Sequence, residues 1–170
     1  MRFTPARRAV LLHAEGRYGE AFEAGAEAAR YTIGLGAGQQ GVKQGLVWAV
    51  ASTLALGEKA PADELLSTIE ELPPGLRPPF LEAQAHRFRA RMNDEEAGFK
   101  TAAGGFREYN FPFWLAVAEL EHGELLVRQD RAADAEPLLA EAQAIFERLE
   151  AKPWLERAAH VDLEPANVSS

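Results

Sequence analysis

Four short segments, EGRYGEAF, LGEKAPAD, RMNDEEAG and RQDRAADA, punctuate this 170-residue chain, and each separates two stretches of apolar residues at helical spacing. Aligned, they place Ala21, Ala62, Ala97 and Ala135 in one column, at intervals of 41, 35 and 38 residues. Five positions before each alanine stand Gly16, Gly57, Met92 and Asp130. A helix has to end there, and glycine suits that place because helices so often close on a left-handed residue. The alanines have a steric reason: the first turn of one helix abuts its partner, and a small side chain permits close approach. Such a recurrence marks repeated supersecondary units.

The stretches between the breaks read as helices. Leu138, Leu139, Ala142, Ile145, Phe146 and Leu149 share one stripe of an α-helix, and Trp114, Val117, Ala118 and Leu125 share another. Asn110-Phe111-Pro112 announces the second of these, since proline is tolerated in a first turn and disfavours helix before it. Asn93 or Asp94 is expected to N-cap a helix through Phe99 and Phe106. Pro61 stands near the start of a helix carrying Leu65, Leu66 and Ile69, which ends at Pro73-Pro74-Gly75. Pro137 fits best at the third helical position behind an Asp134 cap, where no N–H is needed; an earlier start would put a kink there. Abundant alanine, leucine and glutamate favour helix as well.

The four units carry a common pattern of small, large, glycine and alanine positions. The first offers Ala9, Leu12, Gly16, Ala21 and Ala28, and the second Val50, Gly57, Ala62, Ile69 and Pro74. The third offers Ala85, Phe88 and Ala97, and the fourth Gly123, Leu126, Ala135 and Ala142. In this the chain resembles the tetratricopeptide repeat family, although the tryptophan of that pattern is missing and the intervals depart from the family's usual length. Residues 111–158 resemble, more specifically, the C-terminal end of the repeat region in large bacterial signalling proteins that join an adenylate/guanylate cyclase or DNA-binding domain to an AAA-type ATPase. Glu136-Pro137-Leu138-Leu139, Ile145-Phe146-Glu147 and Pro153-Trp154-Leu155-Glu156-Arg157 carry that likeness.

The resemblance implies an all-α, right-handed α-solenoid of about four degenerate hairpins forming a single domain over residues 1–163. Its units are expected at 2–37, 39–75, 78–110 and 111–150, with a capping helix at 153–163 and a frayed tail at 164–170. One hairpin cannot bury its apolar face alone, so hairpins stack and the last needs a cover. Trp154 and Leu155 are expected to supply that cover, with Glu156 and Arg157 facing water.

Composition narrows the function. The net charge is −8, with 18 basic and 26 acidic residues, which argues against a nucleic-acid partner. The densest basic cluster, Arg87, Arg89 and Arg91, reads as a solvated helix face. No apolar run approaches the length of a membrane span or a signal peptide, and there is no cysteine, so a cytoplasmic setting is expected. Residues 34–41, GLGAGQQG, match the dinucleotide-binding fingerprint letter for letter, but a helix rather than a strand is expected before them. They read as a glycine-rich loop, and no cofactor is expected. His13, His86, His122 and His160 lack metal-ligand spacing. Glu121, His122 and Glu124 sit side by side, yet neighbours on a helix point in different directions. No catalytic constellation is found, so an enzyme is not expected.

In the family, the first helices of successive hairpins line a concave groove. Carried across, the groove comprises Val47, Ala51 and Leu54, then Glu82, His86 and Arg89, then Leu120, Glu124 and Val127, extended by Val10 and His13. A mixed apolar and ionic surface of this kind suits a protein or peptide partner. The alternative is a regulatory domain sensing a small effector, walled by Trp48, Arg89, Trp114 and Glu124 and controlling an attached catalytic or DNA-binding domain. A homodimer through residues 111–114, FPFW, is compatible with the chain if that cluster is exposed.

Overall fold

The computed structural model describes residues 4–30 and 40–161. These hold nine α-helices: α1 (Pro5–Ala14), α2 (Tyr18–Arg30), α3 (Gln40–Ala55), α4 (Lys59–Glu70), α5 (Pro79–Asn93), α6 (Glu96–Glu108), α7 (Pro112–Arg128), α8 (Ala132–Arg148) and α9 (Lys152–Ala159). A 3₁₀ turn spans Pro74–Leu76, and no strand occurs among the described residues. The all-α class read from periodicity holds. Contacts divide the chain into two compact units, Met1–Phe88 and Arg89–Ser170, and the division falls inside α5.

Six helix ends close in one way. Gly16, Gly57, Asp94, Asn110, Asp130 and Glu150 all have φ between 52° and 76°. The residue after each donates its N–H back to a carbonyl five residues earlier: Arg17 to Leu12, Glu58 to Thr53, Glu95 to Ala90, Phe111 to Phe106, Arg131 to Leu126 and Ala151 to Phe146, at 2.8–3.0 Å. This is the Schellman closure, which satisfies carbonyls that a helix end would otherwise orphan. All six acceptor residues are buried, so each closure seals a helix end at the edge of a core.

The closures correct three expectations. Asp94, not Met92, takes the left-handed position in the third segment, and the buried residue five places on is Phe99, whereas Ala97 is exposed. The left-handed residues 16, 57, 94 and 130 therefore recur at intervals of 41, 37 and 36. Because Asp94 is consumed by the closure, α6 starts behind Glu95, which makes no side-chain capping bond, and neither Asn93 nor Asp94 is its cap. Likewise α8 starts behind Arg131, which places Pro137 inside the helix rather than in its first turn. The proline removes the bond that its N–H would have given to the carbonyl of Ala133, while Asp134 pairs with Arg131 at 2.8 Å instead of capping.

In the N-terminal unit, α1, α2 and α3 pack on one another, and α4 packs on α3. The tightest approach is between α2 and α3. A Cβ added to Gly25 would stand 2.6 Å from both the Ala49 Cβ and the Gly45 carbonyl oxygen, and one added to Gly45 would overlap the Ala28 Cβ. Here backbone meets backbone. Trp48 covers the small core of Ala9, Leu12, Ala21 and Ala24.

In the C-terminal unit, α7 is the centre. It packs between α6 and α8, and α9 lies on α8. Every residue of α7 from Trp114 to Gly123 is buried, followed by Leu125 and Leu126. Gly123 leaves a notch for Leu139, whose Cδ2 would stand 2.7 Å from an added Cβ. At the other end of α7, Phe113 meets Trp154 edge-on at 5.6 Å, and Trp154 stacks on Phe146 at 5.8 Å and 24°. Trp154 is thus the anchor of α9. The FPFW cluster is not an exposed face, since Trp114 is buried and Phe113 is enclosed by Phe146 and Trp154.

Candidate functional site

Two surfaces concentrate polar side chains: one face of α5, and the flanks of α7. On α5, Glu82 and His86 are exposed one turn apart, and Arg89 follows half-buried. Arg77 stands 3.7 Å from Glu82 and also donates to the carbonyls of Glu70 and Leu72, tying the loop before α5 to the end of α4. The basic cluster is not a solvated face throughout. Arg87 is buried, donates to Gln84 Oε1 at 2.9 Å and lies 4.0 Å from the ring centroid of Phe88. Arg91 is exposed and reaches the buried Glu121 at 3.6 Å.

The remaining groove residues lie apart from solvent to differing degrees. Val47 on α3 and Leu120 on α7 are core residues, 2% and 0% exposed. Ala51, Leu54 and Val127 are half-buried. Glu124 is committed within its own unit: Arg157 grips it through two bonds, Nε–Oε1 at 2.8 Å and Nη2–Oε2 at 2.7 Å, and also sits 5.4 Å from the Trp154 ring. Arg157 therefore does not simply face water, because a bidentate carboxylate and an aromatic face both hold it.

Around α7, four ionisable groups diverge to four partners. Burying such groups is costly unless each is paired. Glu121 meets Arg91. The buried His122 stacks on Phe99 at 5.7 Å with its Nε2 3.4 Å from Glu96, and burial pushes its pKa down. Glu96 is held at about 2 by hydrogen bonds from Lys100 and then Arg131. Glu124 meets Arg157. Glu119, 3% exposed, receives a 3.1 Å hydrogen bond from Arg107 Nη2, and the same guanidinium donates to both oxygens of Glu141 at 2.8 and 3.1 Å. Burial, reinforced by the neighbouring Glu141, pushes the Glu119 carboxyl up to about 8.

These pairs have a regular spacing. Glu124–Arg157, Asp94–Arg128, Arg107–Glu141 and Glu96–Arg131 join residues 33, 34, 34 and 35 apart in sequence. Each ties one helix, or the turn before it, to a helix about one hairpin further along. The sequence reading missed the Arg107–Glu119–Glu141 group. Its one available signal is a glutamate set among consistently apolar neighbours in PFWLAVAEL.

Clefts are shallow. One of about 240 Å³ in the C-terminal unit is lined by Phe106, Arg107, Asn110, Pro112, Leu115, Glu141, Ile145 and Arg148. Another of about 340 Å³ in the N-terminal unit runs along α1 and α2 past Arg8, Glu20, Glu23, Glu27 and Arg30. His13 Nδ1 lies 2.8 Å from Ser52 Oγ, a contact that resembles a base and its nucleophile. Ser52, however, gives its only proton to the Trp48 carbonyl at 2.7 Å and is fully buried. His13 must then be the donor, which is the wrong polarity for activating a serine. Among the described residues, no group of three or more His, Cys, Asp or Glu could hold a metal ion. No helix there is long and apolar enough to cross a membrane.

The fingerprint-like GLGAGQQG lies outside the described residues except for its last two, Gln40 and Gly41, which begin α3. The last described element before it is α2, a helix. Comparison with protein-family models, with curated proteins and with solved structures finds no match to this chain.

Proposed function

We propose that this chain is a non-catalytic protein-interaction module, built as stacked tetratricopeptide-like hairpins with α9 as the closing helix. The observation that carries the reading is the recurring Schellman closure at residues 16, 57, 94 and 130, joined in the C-terminal half by ion pairs spaced 33–35 residues apart. A one-hairpin repeat in both turns and cross-links is what a stack of like units requires. The docking face of this reading centres on Glu82 and His86, the two exposed members of the groove set. A partner carrying both apolar and charged side chains suits it, in a cytoplasmic setting.

The test is retention of partners from a lysate by wild type and by Glu82→Lys/His86→Glu, after circular dichroism shows equal helix content. A protein kept by wild type and lost by the variant supports the face. Equal retention by both removes it. The small-effector reading draws on the 240 Å³ cleft over Arg107 and Arg148. A metabolite that raises the melting temperature of wild type but not of Arg148→Ala would favour that reading over docking.

A further inference from the structure

The Arg107–Glu119–Glu141 group sets two carboxyls against one guanidinium. Arg107 Nη2 stands 3.1 Å from Glu119 Oε1 and 3.1 Å from Glu141 Oε2, so the two acids flank a single nitrogen. Glu141 already takes both arms of the fork. Glu119 is buried, and among the described residues no donor reaches its Oε2. Two ionised acids here would leave one negative charge uncompensated beside apolar residues, which burial strongly disfavours. A protonated Glu119 removes the excess charge, and its interaction with the Glu141 carboxylate gives that proton an acceptor, since a neutral carboxyl is a donor as well as an acceptor.

Among the described residues the surroundings supply no second counter-charge. From α6 the group meets Arg107, and from α8 it meets Glu141, with Arg148 further out on the cleft wall. Elsewhere on α7, Glu121 and Glu124 are engaged by Arg91 and by Arg157 of α9, and His122 by Glu96.

We propose that Glu119, Arg107 and Glu141 form a proton-dependent clasp of α6, α7 and α8, closed when Glu119 holds a proton that it donates to Glu141 and loosened when that proton leaves. The clasp borders the 240 Å³ cleft, since Arg107 and Glu141 line both. Loss of the proton therefore alters the charge and the packing of the cleft wall together, making the C-terminal unit pH-responsive.

The direct test is a titration of glutamate side-chain ¹³C carboxyl signals in the full chain, with Glu119 assigned by its loss in Glu119→Gln or by through-bond correlation in wild type. The expected midpoint is about 8, far above the ~4.3 of an unfolded chain. A group raised in the folded state contributes stability that is complete below its unfolded pKa and is lost as pH rises to its folded one. The folding equilibrium of wild type relative to Glu119→Gln should therefore fall about tenfold per pH unit between about pH 5 and 8, and level off above. A Glu119 midpoint below 5, or a ratio independent of pH, overturns the proposal. Glu141→Gln supplies an independent arm: Arg107 would then serve a single carboxylate, and the Glu119 midpoint should drop by more than about one unit. An unchanged midpoint in that variant assigns the proton to burial alone and overturns the clasp.

Discussion

The two units solve one packing problem with opposite materials. The N-terminal unit brings helices together by removing side chains: Gly25, Ala28, Gly45 and Ala49 let α2 and α3 touch along their backbones. Two of its buried hydroxyls are satisfied within their own helix, as Ser52 donates to the Trp48 carbonyl and Thr53 to that of Val50. The C-terminal unit fills its space with Phe113, Phe146, Trp114 and Trp154 and ties its helices by charge across one-hairpin intervals. The hairpin closures differ in the same sense, with glycine at the left-handed position in the first unit and Asp, Asn or Glu in the second. Small residues allow contact without specifying a partner, whereas ion pairs and ring geometry specify which helix lies beside which. The C-terminal unit has the more discriminating interior.

The comparison can be broken most forcefully at Phe146. Phe146→Ala should cost about 3–5 kcal/mol in urea denaturation, because it empties the fully buried side chain on which Trp154 stacks. Native-state hydrogen exchange should show the loss concentrated in α7, α8 and α9. If α1 to α3 lose protection equally, the contrast between separately packed units fails. Gly25→Val is the complementary test in the first unit. Its side chain has nowhere to go except into Ala49 and the Gly45 carbonyl, and a loss of about 1–3 kcal/mol is expected. A neutral result would mean that α2 and α3 can part without penalty.

Smaller effects sharpen the picture. A double-mutant cycle on Glu124→Ala and Arg157→Ala should give a coupling of about 0.5–1 kcal/mol, since the pair is bidentate but 24% and 37% exposed. Concentrated salt should shrink that coupling, whereas an unaffected value would point to the Arg157–Trp154 packing. Replacement of the left-handed Glu150 by glycine should stabilise by about 0.5–1 kcal/mol, because a side chain is strained at φ 55°. Gly57→Ala should lose a similar amount at φ 76°. If Glu150→Gly is instead destabilising, the Glu150 side chain serves the α8–α9 turn in a way that its backbone angle does not reveal.

Local signals carried much of this architecture. Proline in the first turn of α7 and α9, turn residues at 16, 57 and 130, and apolar stripes at helical spacing mark helices and their ends from neighbouring residues alone. Where reading failed, two local solutions competed. Met92-Asn93-Asp94 offers several places to end a helix, and only the choice of Phe99 over Ala97 as the buried residue puts the closure at Asp94. Asp134 could cap α8, yet the salt bridge to Arg131 takes it and the helix runs on through Pro137. The groove set shows the same limit. Family positions place Val47 and Leu120 on a binding face, while packing makes them core.

The charged groups of α7 lay furthest from sequence reasoning. ELEHGE reads as a polar, solvated run, and nothing local says that its first three ionisable members are buried. Their partners Arg107, Glu141, Arg91 and Glu96 come from other helices. Sequence by itself determined that the chain is helical, that its helices end at recurring left-handed turns, and that a proline and a tryptophan begin its last helix, because propensity, capping and periodicity act over a few residues. Tertiary structure alone decided which face of each helix is covered and which acid shares which guanidinium. Burial and ion pairing depend on groups in other helices, 12 to 35 residues away, and on the low dielectric that exists only once the helices have closed around them.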